Sequence, residues 1–270
     1  MFASQRQERI LEAVRRDGAV RVAALTAALG VSDMTVRRDL DVLARAGLVE
    51  KVHGGATAPR ASSAEEPGFE ANSLQRRAEK AAVAAAAVSL VGPGSAVGLS
   101  AGTTTWALAH LLREVPGLTV VTNSIQVAQV LHAGPAEQTV VLTGGVRTPS
   151  DALVGPVAVS ALRQLHLDVV FMGVHGLDAR RGLTTPNMPE AETNRAFVHA
   201  AQRLAVVADH AKWGVVGLST FAELDDVDVV VTDDGLAPEA VAELEQHVGE
   251  VVLAPVARSA DVAPADEALA

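Results

Sequence analysis

The apolar positions of the first 57 residues fall in short runs with helical spacing. Ile10, Leu11 and Val14 share one face of residues 5–16, with Arg6, Arg9, Glu12 and Arg15 elsewhere, the 3.6-residue period of an amphipathic helix. Asp17-Gly18 stops it. Val20 and Val22 lead into a short second helix ending near Leu29. Gly30 is placed to close it, because glycine tolerates the left-handed backbone of a C-terminal cap. Ser32 is a natural N-cap for a third helix. There Val36, Leu40 and Leu43 fall at i, i+4 and i+7 and must face a core, while Asp33, Met34, Thr35, Arg37, Arg38, Asp41 and Arg45 take the opposite face. Lys51 and His53 then precede Gly54-Gly55, a tight-turn pair, which gives the pattern of a β-wing.

Residues 58–72 are small, charged or helix-breaking and read as a linker. An alanine-rich helix is expected over 76–91. From Gly94 the rhythm changes. Apolar runs at 96–99, 118–122, 139–143, 168–174, 204–208, 228–232 and 250–254 alternate with helical patterns at 103–113, 124–132, 156–165, 189–202 and 238–246. Strands apolar on both faces and separated by helices predict an α/β fold with a mostly parallel sheet. The expected organisation is a winged helix-turn-helix over 1–57, a linker over 58–72, an α/β domain over 73–256 and a disordered tail over 257–270.

In a helix-turn-helix the N-terminal part of the second helix enters the major groove. Ser32, Thr35, Arg37 and Arg38 are therefore candidate DNA contacts, with Lys51 and His53 of the wing beside them. Arginine suits guanine edges and phosphates because its fork donates two parallel hydrogen bonds. The competing reading pairs Arg37 with Asp41 on a solvated helix and makes the wing an ordinary hairpin. In a parallel α/β sheet, ligands bind beyond the carboxyl ends of the strands. Gly102, Thr103 and Thr104 follow the first such strand and open a helix, whose free amides suit an anion, although Gly-Thr-Thr also caps ordinary helices. Thr122 and Asn123, Gly144 and Gly145, His175 and Asp178, and Asp209 and Lys212 end four further strands. Their convergence points to one crevice for a small anionic ligand. Two plainer readings stand beside it: Asp178 caps a turn before Ala179–Gly182, and Asp209 with Lys212 forms only an ion pair.

The net charge of −10 is unpromising for a DNA binder until the chain is divided. Residues 1–57 hold nine Lys and Arg against seven Asp and Glu, and the remainder 13 against 25. An acidic second domain would repel DNA and suppress sequence-independent binding. The chain has no cysteine, its N-terminus shows no apolar leader, and its longest apolar run, 81–88, is too short to span a bilayer. A cytoplasmic protein with no membrane contact is expected. The eight histidines show no metal-binding spacing, and no cofactor is expected.

The run Val31-Ser32-Asp33-Met34-Thr35-Val36-Arg37-Arg38-Asp39-Leu40 and the closing Lys51-Val52-His53-Gly54-Gly55-Ala56 resemble the N-terminal domain of the DeoR family of bacterial transcription regulators. Most of 73–254 is similar to that family's sensor domain, which is related to ribose-5-phosphate isomerase and glucosamine-6-phosphate deaminase. The resemblance implies a homo-oligomeric repressor of carbohydrate genes, with a double-stranded DNA operator and a phosphorylated sugar as effector. It places the phosphate loop on Gly102, Thr103 and Thr104, and further ligand contacts on Thr122, Asn123, Gly144, Gly145, Asp209 and Lys212. Glu190 and Arg195 fall on a helix that borders the same pocket. Two departures stand out. Ser100 occupies a position where the family commonly has Asp, and His175-Gly176-Leu177-Asp178 replaces an acid-rich stretch of the isomerases. A sugar-phosphate isomerase or deaminase with a DNA-binding appendage is the alternative. The missing acid and the attached reader weigh against it, so no enzyme activity is expected.

Overall fold

The computed structural model describes residues 3–45, 48–52, 54–57 and 68–257. The chain forms two compact units, Met1–Ser62 and Ser63–Ala270.

The first unit runs α1 (Ala3–Asp17), β1 (Ala19–Arg21), α2 (Val22–Leu29), α3 (Asp33–Arg45), β2 (Glu50–Val52) and β3 (Gly55–Thr57). The strands make a small antiparallel sheet in the order β1-β3-β2. Its core takes Ile10 and Val14 from α1, Val22 and Leu25 from α2, and Val36, Leu40 and Leu43 from α3. Gly30 closes α2 with φ 65°, donating its N–H to the Thr26 carbonyl at 3.0 Å, the left-handed cap that glycine adopts without a Cβ clash. Asp39 lies on the buried side of α3, where Arg6 and Gln7 of α1 both donate to its carboxylate. That carboxylate clamps α1 to α3, so no buried charge is left unpaired.

The second unit begins with α4 (Phe69–Ser73) and α5 (Arg77–Ala87), the latter extended by a 3-10 turn over Val88–Leu90. There follow β4 (Ala96–Leu99), α6 (Thr103–Leu112), β5 (Thr119–Thr122), α7 (Ile125–His132), β6 (Thr139–Leu142), the short strands β7 (Val146–Arg147) and β8 (Leu153–Val154), and α8 (Pro156–Leu162). Then come β9 (Val169–Met172), β10 (Gly176–Asp178), β11 (Gly182–Thr185), α9 (Met188–Ala200), β12 (Leu204–Val207), β13 (Ser219–Ala222), β14 (Val229–Asp233), α10 (Pro238–Leu244) and β15 (Glu250–Ala254). Seven strands form one parallel sheet in the order β15-β14-β12-β9-β4-β5-β6. One apolar cluster draws on α5, α6 and α7, the other on α8, α9 and α10. The sheet is thus sandwiched, which is why its inner strands read as continuous apolar runs. Gly98 has no Cβ, and Val170 of β9 and Leu167 just before it occupy the space a Cβ would need.

The sheet order reverses beside β4. The chain winds outward through β5 and β6, then returns to β9 on the other flank and winds outward through β12, β14 and β15. The crevice between the carboxyl ends of β4 and β9 is therefore the topological switch point, where ligands of open α/β sheets bind.

Three features differ from the sequence reading. Residues 68–72 were expected to belong to the linker, yet the polypeptide is helical from Phe69; 58–67 lie outside the described residues, as do 258–270 of the expected tail. The stretch after β9 is a second, antiparallel sheet in the order β10-β11-β13, where a loop was expected. Residues 146–154 form the β7–β8 hairpin. These strands are two to four residues long, too short for alternation to register against the turn residues around them.

Candidate nucleic-acid interface and ligand crevice

At the start of α3, Ser32 accepts a hydrogen bond from the Thr35 N–H at 3.3 Å, and the two hydroxyls lie 2.9 Å apart. Ser32 thus fills the N-cap position, and with Thr35 it presents hydroxyls at an exposed helix N-terminus suited to a phosphate. Met34 is 77% exposed beside them. Arg37 pairs with Asp33 at 2.6 Å, one turn back, and not with Asp41 as the sequence alternative supposed. Asp41 instead receives Lys51 from β2, tying the wing to the recognition helix. Both pairs are solvent-exposed, so each contributes little and exchanges readily for a phosphate oxygen. Arg38 is exposed and makes no ion pair or hydrogen bond among the described residues. Of the six expected DNA contacts, five lie on this face of α3 and on β2; His53 lies outside the described residues.

In the second unit, the loops at the switch point are laced together. The Ser100 hydroxyl is buried and accepts the Gly173 N–H at 2.9 Å, joining the loop after β4 to the loop after β9. Ala101 donates its N–H to Asn123 Oδ1 at 2.8 Å, and Asn123 Nδ2 donates to the Leu153 carbonyl at 3.1 Å. Thr122 Oγ1 donates to the Leu99 carbonyl at 2.7 Å and accepts the Ser124 N–H at 3.0 Å. Thr122 and Asn123, both fully buried, therefore shape the loops from beneath. Gly102 is the N-cap of α6 with no side-chain cap, so no cap side chain takes the first amides of that helix.

Four charged groups meet beside that crevice. Asp209 is 3% exposed and accepts the Ala211 N–H at 3.2 Å. Arg76 Nε lies 3.3 Å from Asp209 Oδ1. Lys80, 6% exposed, donates its ammonium to the carbonyls of Asn72 at 2.6 Å and Gln75 at 2.7 Å. Lys212 is half-buried, and its ammonium makes no hydrogen bond among the described residues. Burial, first of all, holds the Lys212 pKa below its ordinary value; Asp209 opposes the fall and Arg76 deepens it. The Lys80 pKa is lowered in the same way, burial leading, with Asp209 opposing. Next to Asp209, His210 is fixed by Asp233, whose carboxylate takes the His210 N–H at 2.8 Å and meets Nδ1 at 2.7 Å.

The family models for the DeoR-like helix-turn-helix domain and the DeoR C terminal sensor domain match residues 6–61 and 75–234. The chain belongs to the DeoR family. Among its relatives is the putative aga operon transcriptional repressor of Escherichia coli O157:H7, 34% identical over 93% of each chain. The HTH-type transcriptional regulator GlpR of Haloferax volcanii is 37% identical over 96% of this chain and all of its own. The glycerol-3-phosphate regulon repressor of Escherichia coli K12 is 30% identical over 91% of this chain and 95% of its own. Ribose 5-phosphate isomerase A of Methanocaldococcus jannaschii is 17% identical, with a TM-score of 0.37 over 50% of this chain and 53% of its own. This DeoR-family protein is thus a helix-turn-helix transcription regulator with a parallel α/β sensor unit.

The regulator does not gather all of the expected ligand residues. Gly102, Thr103, Thr104, Asn123, Gly144, Asp209 and Lys212 stand at successive strand ends along one edge of the sheet, and Gly145 follows there. Asp178 Oδ1 accepts the N–H groups of Arg180 at 2.9 Å and Arg181 at 3.0 Å, so its carboxylate forms the β10–β11 turn, the plainer of its two readings. His175 lies on the loop before β10. Glu190 accepts the Thr185 hydroxyl at 3.0 Å. Arg195, five residues on, is rotated by about 140° around α9. It pairs with Glu192, donates to the Thr220 carbonyl, and lines a groove of about 880 Å³ with Val159 and Met188, away from Asp209 and Lys212. Sequence reasoning missed Arg76 and Lys80, an i,i+4 basic pair opening an otherwise alanine-rich helix.

Proposed function

We propose that this regulator represses carbohydrate-metabolism genes by binding a double-stranded DNA operator, and that a phosphorylated sugar in the α/β crevice alters that affinity. The observation that carries the reading is one chain holding both an exposed recognition-helix N-terminus, with Arg38 unpaired among the described residues, and a cation-rich crevice at a sheet switch point. The aga operon and glycerol-3-phosphate regulon named for two relatives suggest the class of gene and effector. Ser32, Thr35, Arg37, Arg38, Lys51 and His53 contact DNA. The amides of Gly102 to Thr104 and the Lys212 ammonium hold the phosphate. Gly144, Gly145, His175 and Glu190 border the sugar, while Thr122 and Asn123 support the loops. Asp178 and Arg195 are assigned no ligand contact.

The chain works in the cytoplasm as a homo-oligomer on repeated half-sites, because a single reader covers little DNA. The reading assigns no catalysis: Asp178, the base that the isomerase alternative requires, serves as a turn cap through Oδ1. Ligand control requires that the effector bind the DNA-competent and incompetent states with different affinity.

The test is fluorescence anisotropy of DNA from the gene's own upstream region, titrated at fixed salt with and without a panel of sugar phosphates. Specific binding shifted by one compound, and abolished by Arg37→Ala with Arg38→Ala, is the expected result. Specific binding that no compound shifts would remove the phosphosugar effector. Normal binding by the double variant would remove α3 as the reading element.

A further inference from the structure

The residues that lead from the linker into the sensor unit are also residues of its crevice. Phe69 donates its N–H to the Pro149 carbonyl at 3.4 Å, and its ring meets Trp106 edge-on with centroids 6.0 Å apart. Trp106 donates its own N–H to the Gly102 carbonyl at 3.0 Å, so Phe69 rests on the first turn of the helix that the glycine-threonine loop opens. Farther along, Asn72 and Gln75 are gathered by the single ammonium of Lys80. Arg76 follows, with φ 48° and ψ 46°, one of two non-glycine residues at positive φ among the described residues. An L-residue keeps that conformation only while its surroundings hold it. The side-chain partner holding Arg76 is Asp209.

Charge explains what could release it. Arg76, Lys80 and Lys212 bring three cations to one buried carboxylate, with Glu79 acting on Lys80 from the same helix. A phosphate monoester, close to a dianion at neutral pH, would balance that excess. Its oxygens would also satisfy the Lys212 ammonium, which has no hydrogen bond among the described residues.

We propose that Arg76 is the residue through which an anion in the crevice reports to the linker. The anion takes the guanidinium from Asp209, and residues 68–76 then loosen from their present conformation, giving up the bonds by which Lys80 of α5 holds the Asn72 and Gln75 carbonyls. In the chain, that piece stands between the reader and the sensor sheet. This rests on the phosphate reading of the crevice given above.

The experiment uses the full chain and inorganic phosphate at constant ionic strength, with calorimetry for affinity and amide hydrogen exchange for residues 68–76. In the unaltered protein phosphate binds and exchange over 68–76 quickens. In Arg76→Asn, whose side chain tolerates the left-handed backbone, exchange there is already fast and phosphate leaves it unchanged. Phosphate affinity falls about tenfold, the loss of one charge-assisted contact. Arg76→Lys, which keeps the charge, restores part of the response, and it carries the test if the Asn variant melts early. Phosphate that binds without changing exchange over 68–76 overturns the transmission while leaving the crevice reading intact, as does an Arg76→Asn protein that responds normally. A protein that does not bind phosphate at all overturns the crevice reading itself, and this proposal with it.

Discussion

At the scale of single residues, Lys212 ties the crevice chemistry to pH. Its folded pKa lies below the ordinary 10.5, because burial disfavours the ammonium. The unfolded chain therefore holds more protons from that lowered value up to 10.5, and native stability gains as pH rises through the interval. A bound anion works in the opposite sense. It favours the ammonium, so binding takes up protons in that interval and weakens as pH rises. A phosphate monoester loses its second proton near pH 6, so affinity for such a ligand should climb from about pH 5 to about pH 7 and decline on the alkaline side. Calorimetry in buffers of different ionisation enthalpy should show net proton uptake in the alkaline range; release, or no exchange, would take Lys212 out of the site. The residue types at the strand ends were legible in the sequence because glycine, threonine and Asp-x-x-Lys stand out from apolar runs. The roles were less legible. Thr122, Asn123 and Asp178 carry groups able to contact a ligand, yet each binds backbone, a choice fixed by loops from distant parts of the chain.

At the scale of elements, α3 shows why the reader was readable. Val36, Leu40 and Leu43 are all buried, as their spacing requires. Leu40→Ala should cost about 2–5 kcal/mol through lost burial and the cavity left behind. Guanidinium denaturation followed by circular dichroism should show an early transition for the first unit and an unshifted one for the second. A single unshifted transition would mean that Leu40 is not a core residue of the reader. The inner strands of the parallel sheet were equally legible, since burial on both faces writes an unbroken apolar run, and the partly exposed edge strands β6 and β15 showed the same valine-rich runs. The β10-β11-β13 sheet was not. Its strands are short and rich in glycine and threonine, and the pairing of β11 with β13 spans α9 and β12. A sequence window cannot see a partner that arrives only after an intervening helix and strand.

At the scale of the whole molecule, charge is divided as function requires: nine Lys and Arg against seven Asp and Glu over 1–57, and 13 against 25 beyond. Each phosphate contact contributes about 0.9 to the slope of log affinity against log salt. Arg38→Ala should lower that slope by about one unit if Arg38 neutralises a phosphate, or relax preference at one base pair if it reads an edge. Anisotropy titrations between about 50 and 200 mM salt separate the two. A variant unchanged in both respects would place Arg38 outside the interface. The ion pairs on the reader carry a further consequence. Arg37 and Lys51 already have Asp33 and Asp41 as neighbours, so settling on an arbitrary stretch of duplex exchanges one anionic partner for another and leaves two carboxylates beside the polyanion, which repel it. Dwell times on wrong sequence should then be short, which favours search over lingering until a matching site adds base contacts to the exchange.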